Sequence, residues 1–408
     1  MSESYLRFVH ASDLHLDSAI EGITDIPPHL QDVLVDAPLR AAEKVFDTVV
    51  EEDAEFLILA GDVVTTERSG PREILFLVEQ FERLAERKVP VYWLLSNSDP
   101  DDDWSSVTLL PDNVVRLVAG EANPHHHQRR KDTMVRIVTF DSAAPTSFDS
   151  NISDHDTDQD LVTIGIARTL PDQQKLQQQS VAYWALGGRD QRQTVNSQPM
   201  TIHYSGSPQG RGPAATGPHG CTLVEISPAH VATLTPVTTD IVRWHTERLE
   251  IDTSVDAIQL ELQARQRLQH LLANHADQVL LINLMVTGQG PLLGALRHGR
   301  AAQDLVTKLR TEFGHHTPAV WTESLTAEPQ HDFPAGWYEE ETMLGEFLRN
   351  VRQLSSSPDN KIDLTKYLDP LPAELAAALD IPDAETRADV LQRAATLGAE
   401  MLSGHTAR

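Results

Sequence analysis

The sequence predicts an α/β fold carrying two packed sheets. Three observations lead there. Short β-rich runs alternate with helix-period runs over the first 240 residues, further strand candidates follow, and polar residues close the first three runs.

Leu6–Ala11 is apolar, β-rich and stops at Ser12-Asp13, as a buried strand does. Pro38 then opens a helix-period stretch to about Glu52, with Ala42, Val45, Phe46 and Val49 on one face. Phe56–Ala60 reads as a second buried strand ending at Gly61-Asp62. Pro71 starts a second helix with Ile74, Leu77, Val78, Phe81 and Leu84 facing inward, and Val91–Leu95 is a third strand. This order implies parallel strands with helices against them and functional groups at the strands' C-terminal ends. Val135–Phe140, Val162–Ile166, Val181–Leu186, Met200–Tyr204 and Cys221–Ile226 are further strands, more than one sheet holds comfortably.

The pattern changes around Thr238–Val242. Arg243–Ile251, Gln278–Val286 and Ala319–Leu325 read as strands, with helices over Val255–Ala273 and Ala301–Phe313 between them. From about Glu339 the chain turns helical, with Met343, Phe347, Val351 and Leu354 at helix spacing, and a last helix spans about Asp383 to Leu402. The expected division is residues 1–240, an α+β module over 241–338, and a helical C-terminal segment over 339–408.

A length of 408 residues fits two or three domains. The single cysteine, Cys221, excludes a disulfide framework and a Cys-based zinc site. No apolar leader opens the sequence and no run approaches the ~18 apolar residues of a spanning helix, so a soluble cytoplasmic protein without membrane contact is expected. The net charge of −27 repels phosphate backbones, which disfavours autonomous DNA binding; a basic partner or a local patch must supply any attraction.

Two aspartate-rich loops, 99–103 and 149–160, lack the ligand spacing and closing Glu of a calcium loop and read as solvated. His125-His-His127, followed by Arg129-Arg-Lys131, reads as an exposed loop. Trp93, Trp184 and Trp244 lie in strand-like runs and are expected in the core, as is His10.

The sharpest chemical feature is Asp13-Leu14-His15 directly after a buried strand. Extended alternation puts Asp13 and His15 on one side, offering an oxygen and a nitrogen ligand, a mixed set suited to manganese, iron or zinc. Gly61-Asp62 and Ser96-Asn97-Ser98-Asp99 close two neighbouring strands. These stretches, with Tyr183-Trp-Ala-Leu-Gly187, Tyr204–Arg211 and Gly217–Glu225, resemble the calcineurin-like metallophosphoesterases, closest to the SbcD/YhaO-like DNA repair exonuclease branch.

The resemblance implies a four-layer α/β/β/α sandwich with a small capping domain. It also implies two divalent ions, typically Mn2+, sharing an aspartate and a hydroxide that attacks a phosphodiester. By position, Asp13 and His15 hold the first ion, Asp62 bridges, and Asn97 holds the second. Asp62, Asn97 and Asp99 are the catalytic candidates. The chain departs from the family where Ser98, Arg168 and Gly188 replace histidines and Asp190 replaces another. An arginine stays cationic at any usable pH and repels a metal ion, so Arg168 is expected to pair with Asp62 or Asp190 in the second ion's place. One ion held by Asp13, His15, Asp62 and Asp190 is then favoured over two. Tyr204–Arg211 reads as a tight Gly/Pro turn, with Arg211 a candidate phosphate contact.

Two functional readings follow. One is a catalytically impaired or non-catalytic subunit; the other is a single-ion phosphodiesterase or exonuclease. The resemblance also implies that the C-terminal helices dock on an SMC-like ATPase, with Met343, Phe347, Val390 and Leu397 as apolar contacts.

Overall fold

In the computed structural model, the described residues are 6–64, 69–95, 109–121, 123–129, 132–140, 161–170, 181–198, 200–329, 333, 335–356 and 384–402. Two compact units emerge from its packing. The first comprises residues 1–245, 275–281 and 317–319; the second comprises 246–274, 282–316 and 320–408.

The first unit is a mixed α/β sandwich of two six-stranded sheets. One has the order β12-β11-β1-β2-β3-β4, from β1 (Leu6–Ser12), β2 (Leu57–Ala60), β3 (Val91–Leu94), β4 (Val114–Leu117), β11 (Gly220–Ile226) and β12 (Ala232–Thr238). The other has the order β5-β6-β7-β8-β10-β9, from β5 (His125–Arg129), β6 (Asp132–Phe140), β7 (Val162–Ala167), β8 (Tyr183–Leu186), β9 (Gln193–Asn196) and β10 (Thr201–Tyr204). β1 to β4 run parallel, as do β6, β7, β8 and β10.

Strict two-residue alternation separates the two cores. Leu57 and Leu59 face helices α1 (Pro28–Glu51) and α2 (Pro71–Glu86), joining Val9, Ala11, Phe46, Phe81 and Trp93. Phe56 and Ile58 face the opposing sheet, where Phe8, Ile137, Ile164 and Tyr183 complete the inter-sheet layer. A third cluster, including Phe140, Trp184 and Ile202, lies on the second sheet's other face. Trp93, Trp184 and Trp244, expected in the core, are fully buried.

Three expectations need correction. Helix α1 begins at Pro28, and Pro38 lies inside it. Proline costs an interior helix one hydrogen bond, yet Leu34, Ala37, Pro38, Ala41, Ala42 and Val45 form one buried face that holds the turn together. His125–His127 is no exposed loop: it belongs to edge strand β5, where His127 is buried and its Nδ1 lies 3.1 Å from the Tyr92 hydroxyl. Tyr204–Arg211 is not a tight turn between adjacent strands either. It opens a long connection to β11, and buried Gln209 fastens it by accepting from Ile241 N and Val242 N at 2.9 and 3.2 Å. The aspartate-rich segments 99–103 and 149–160 lie outside the described residues.

Sheet β13-β14-β15 is formed by Val242–Ile251, Val279–Gly288 and Val320–Pro329. Within the second unit, helices α3 (Ala257–Asn274), α4 (Pro291–His298) and α5 (Ala301–Phe313) accompany it. Helix α6 (Ala335–Glu339) precedes α7 (Met343–Ser356), and α7 packs on α8 (Ala384–Leu402) around Leu348, Ala395 and Ala399. No helix among the described residues is long and apolar enough to cross a membrane.

Buried imidazoles of the sandwich meet hydroxyl groups, although His10 Nε2 has no hydrogen-bond partner among the described residues. His10 Nδ1 lies 2.8 Å from the Tyr183 hydroxyl, while both His203 nitrogens sit 2.9 Å from threonine hydroxyls, those of Thr194 and Thr222. Burial pushes His203 down to about 4 and holds His10 well below the ordinary histidine range. An unfolded His203 takes a proton near pH 6.5, which the folded chain refuses until about pH 4. Stability therefore falls as pH drops through that window, by roughly 1.4 kcal/mol per pH unit for each such imidazole. Urea midpoints measured from pH 7 to pH 4.5 should show this slope, and His203→Gln should flatten it; equal slopes would refute the assignment.

Candidate functional site

Strand ends from both sheets meet at one place. Asp13 follows β1, Gly61-Asp62 follows β2, Arg168 follows β7, and Gly187–Asp190 follows β8. Asn97, Ser98 and Asp99 lie outside the described residues.

Strand β1 ends at Ser12, and both Asp13 and His15 adopt left-handed backbone, with φ of 53° and 45°. Simple strand alternation therefore does not orient this pair. The chain turns along the segment after β2, with Asp13 N donating to Ala60 O, His15 N to Asp62 O and Leu16 N to Val63 O at 3.0 to 3.1 Å. Such bonds offset the cost of left-handed conformation, which aspartate and histidine tolerate better than β-branched residues do.

The Asp13 side chain is 2% exposed. Its carboxylate accepts from Asp62 N at 3.2 Å, from Gly188 N at 2.8 and 3.0 Å, and from Arg189 N at 3.3 Å. Burial raises its pKa, while the backbone donors pull in the opposite direction. Glycines make this approach possible: a Cβ on Gly61 would land on the Asp13 carboxylate, and one on Gly187 would strike the Ala60–Gly61 backbone. These backbone donors were not foreseen from sequence, where Gly188 counts only as a lost ligand. The doublet Gly187-Gly188 is the signal that could have revealed them.

The remaining charges pair off in the solvent-facing part of the site. Arg168 Nη2 donates to Asp62 Oδ1 at 2.6 Å. Arg211 Nη2 donates to both Asp190 oxygens at 3.0 and 3.2 Å. His15 Nε2 stands 3.8 Å from Asp190 Oδ1, beyond hydrogen-bond reach. Asp62 and Asp190 are 37% and 40% exposed, so each ion pair contributes only about 0.2–1 kcal/mol.

A divalent ion requires several donors converging on one point. Among the described residues, no group of three or more His, Cys, Asp or Glu side chains is arranged to hold one. Asp13 spends its oxygens on backbone N–H groups, and a guanidinium holds each of Asp62 and Asp190. The expected quartet of Asp13, His15, Asp62 and Asp190 is thus close in space, but its arrangement does not fit a metal ion. His203 and His219 are buried in hydrogen bonds elsewhere and contribute no ligand.

Gly188 has φ 82°, and a Cβ there would sit 2.8 Å from Arg168 O. Restoring a histidine at this position should therefore strain the backbone and disturb the Asp13 cradle. Gly188→His is expected to lower stability by about 1–3 kcal/mol, read from the denaturant midpoint. A neutral or stabilising outcome would contradict the geometry.

Residues 6–177 match the family described as calcineurin-like phosphoesterase. The chain is also 27% identical over 236 residues to a Bacillus subtilis (strain 168) protein named "Uncharacterized metallophosphoesterase YhaO". That similarity covers 54% of this chain and 58% of the relative, less than two thirds of its length. Over residues 6–177, then, the chain is similar to the calcineurin-like phosphoesterases.

Proposed function

We propose that this chain is an SbcD/YhaO-like member of the DNA repair exonuclease branch whose dinuclear metal centre is degraded, leaving hydrolysis severely reduced. The supporting observation is the 2.6 Å contact from Arg168 Nη2 to Asp62 Oδ1. The family uses divalent metal ions, and the resemblance implies that Asp62 would be the aspartate shared between two of them. Here a guanidinium supplies the neutralising charge without an open coordination position, and no metal-activated nucleophile follows from it.

The test is hydrolysis of bis-p-nitrophenyl phosphate and of linear DNA with manganese, for the native chain and for Asp62→Ala. Both proteins should stay at background. Manganese-dependent turnover abolished by Asp62→Ala would replace this reading with the single-ion enzyme.

A subunit with little chemistry of its own acts through a partner. We place that partner, an SMC-like ATPase, on the C-terminal helices, where Met343 is 75% and Leu397 51% exposed. Deleting residues 339–408 should abolish pull-down of such an ATPase. Undiminished capture by the shortened chain would dispose of this docking mode.

A further inference from the structure

The same strand ends hold guanidinium groups whose donors are only partly used. Arg168 engages Asp62 through Nη2, and no other partner accepts from it among the described residues. Arg211 engages Asp190 through Nη2, and its Nε is buried without a hydrogen-bond partner among the described residues. Each fork therefore keeps N–H groups in reserve, and a guanidinium fork matches the spacing of two phosphate oxygens. The His15 imidazole stands beside them, with its Nε2 3.8 Å from Asp190 Oδ1.

Among the described residues, three carboxylates lie at these strand ends, and their placement decides whether an anion can enter. Asp13 is sequestered: at 2% exposure it is enclosed by the N–H groups of Asp62, Gly188 and Arg189, which spread its charge into the backbone. Asp62 and Asp190 are more than a third exposed, so either can rotate into water at small cost and release its arginine. A phosphate dianion carries more charge than one carboxylate and offers enough oxygens for two-point contacts with a released fork.

We infer that this site binds a phosphate group directly through Arg168 and Arg211, without a divalent ion. The ligand class is inorganic phosphate or the terminal phosphate of a nucleic acid, with Asp62 and Asp190 acting as internal competitors for the two guanidinium groups. The inference rests on the reading of a degraded metal centre and extends it, from a site that has lost chemistry to one that recognises an anion.

The sign of one variant separates this idea from a metal site. If Asp62 competes for Arg168, Asp62→Asn strengthens phosphate binding; if Asp62 is a metal ligand, the same change weakens or abolishes it. The experiment is calorimetric titration of the full chain with inorganic phosphate in EDTA at fixed ionic strength, repeated with manganese. Parallel titrations use a short oligonucleotide with and without a 5′-phosphate, to distinguish the free ion from a nucleic-acid end.

Binding is expected in EDTA, tightened about twofold to fivefold by Asp62→Asn and weakened about tenfold by Arg168→Gln or Arg211→Gln. Arg168→Lys, which keeps the charge and loses the fork, should fall between native and Arg168→Gln. Because Asp62→Asn predicts a gain, unfolding of an arginine variant leaves the test intact. Phosphate binding that requires manganese and disappears in Asp62→Asn would overturn both this inference and the degraded-centre reading. No phosphate binding under either condition would overturn the anion site alone, since hydrolysis assays judge the degraded centre separately.

Discussion

The Asp13 carboxylate organises this part of the molecule. It follows a strand of one sheet, yet two of its three backbone donors, Gly188 N and Arg189 N, follow a strand of the other. A buried carboxylate left without donors would cost several kcal/mol, so these bonds fix how closely the two strand ends approach. Gly61 and Gly187 permit that approach because neither carries a side chain, and the positions of Asp62, Arg168 and Asp190 follow from it.

Around this anchor, Asp62 and Asp190 each face a guanidinium. The arrangement neutralises acidic strand ends within a chain whose net charge is already −27. Ion pairs at this exposure contribute little to stability, so their importance is chemical. They determine which oxygens remain available and which donors can be exchanged.

The sandwich was largely legible because the continuous apolar runs of β1 and β2 record burial on both faces, and the apolar stripes of α1 and α2 record burial on one. Four strands went unread, β4, β5, β9 and β12, and they are the four sheet edges. An edge strand is covered on fewer sides and carries polar residues, as in Gln193–Asn196, so it leaves no apolar run. At the site, residue types were legible but their partners were not. Arg168 was expected to pair with Asp62 or Asp190, and the geometry selects Asp62, because Asp190 is taken by Arg211 from a connection whose path no local pattern encodes. The left-handed backbone at Asp13 and His15 was likewise invisible, being imposed by bonds to the segment after β2.

The division into two units has a practical corollary for anyone wishing to excise the sandwich. Its boundary crosses the chain at five places, so neither half is one continuous stretch of sequence. Asp240, fully buried, is clamped by Arg243 at 2.7 Å and by Gln278 at 3.0 Å, all three belonging to the first unit. Cutting after residue 240 discards both clamps and strands a naked carboxylate. A minimal sandwich must instead retain residues 275–281 and 317–319, reattached by short bridges in place of the intervening polypeptide.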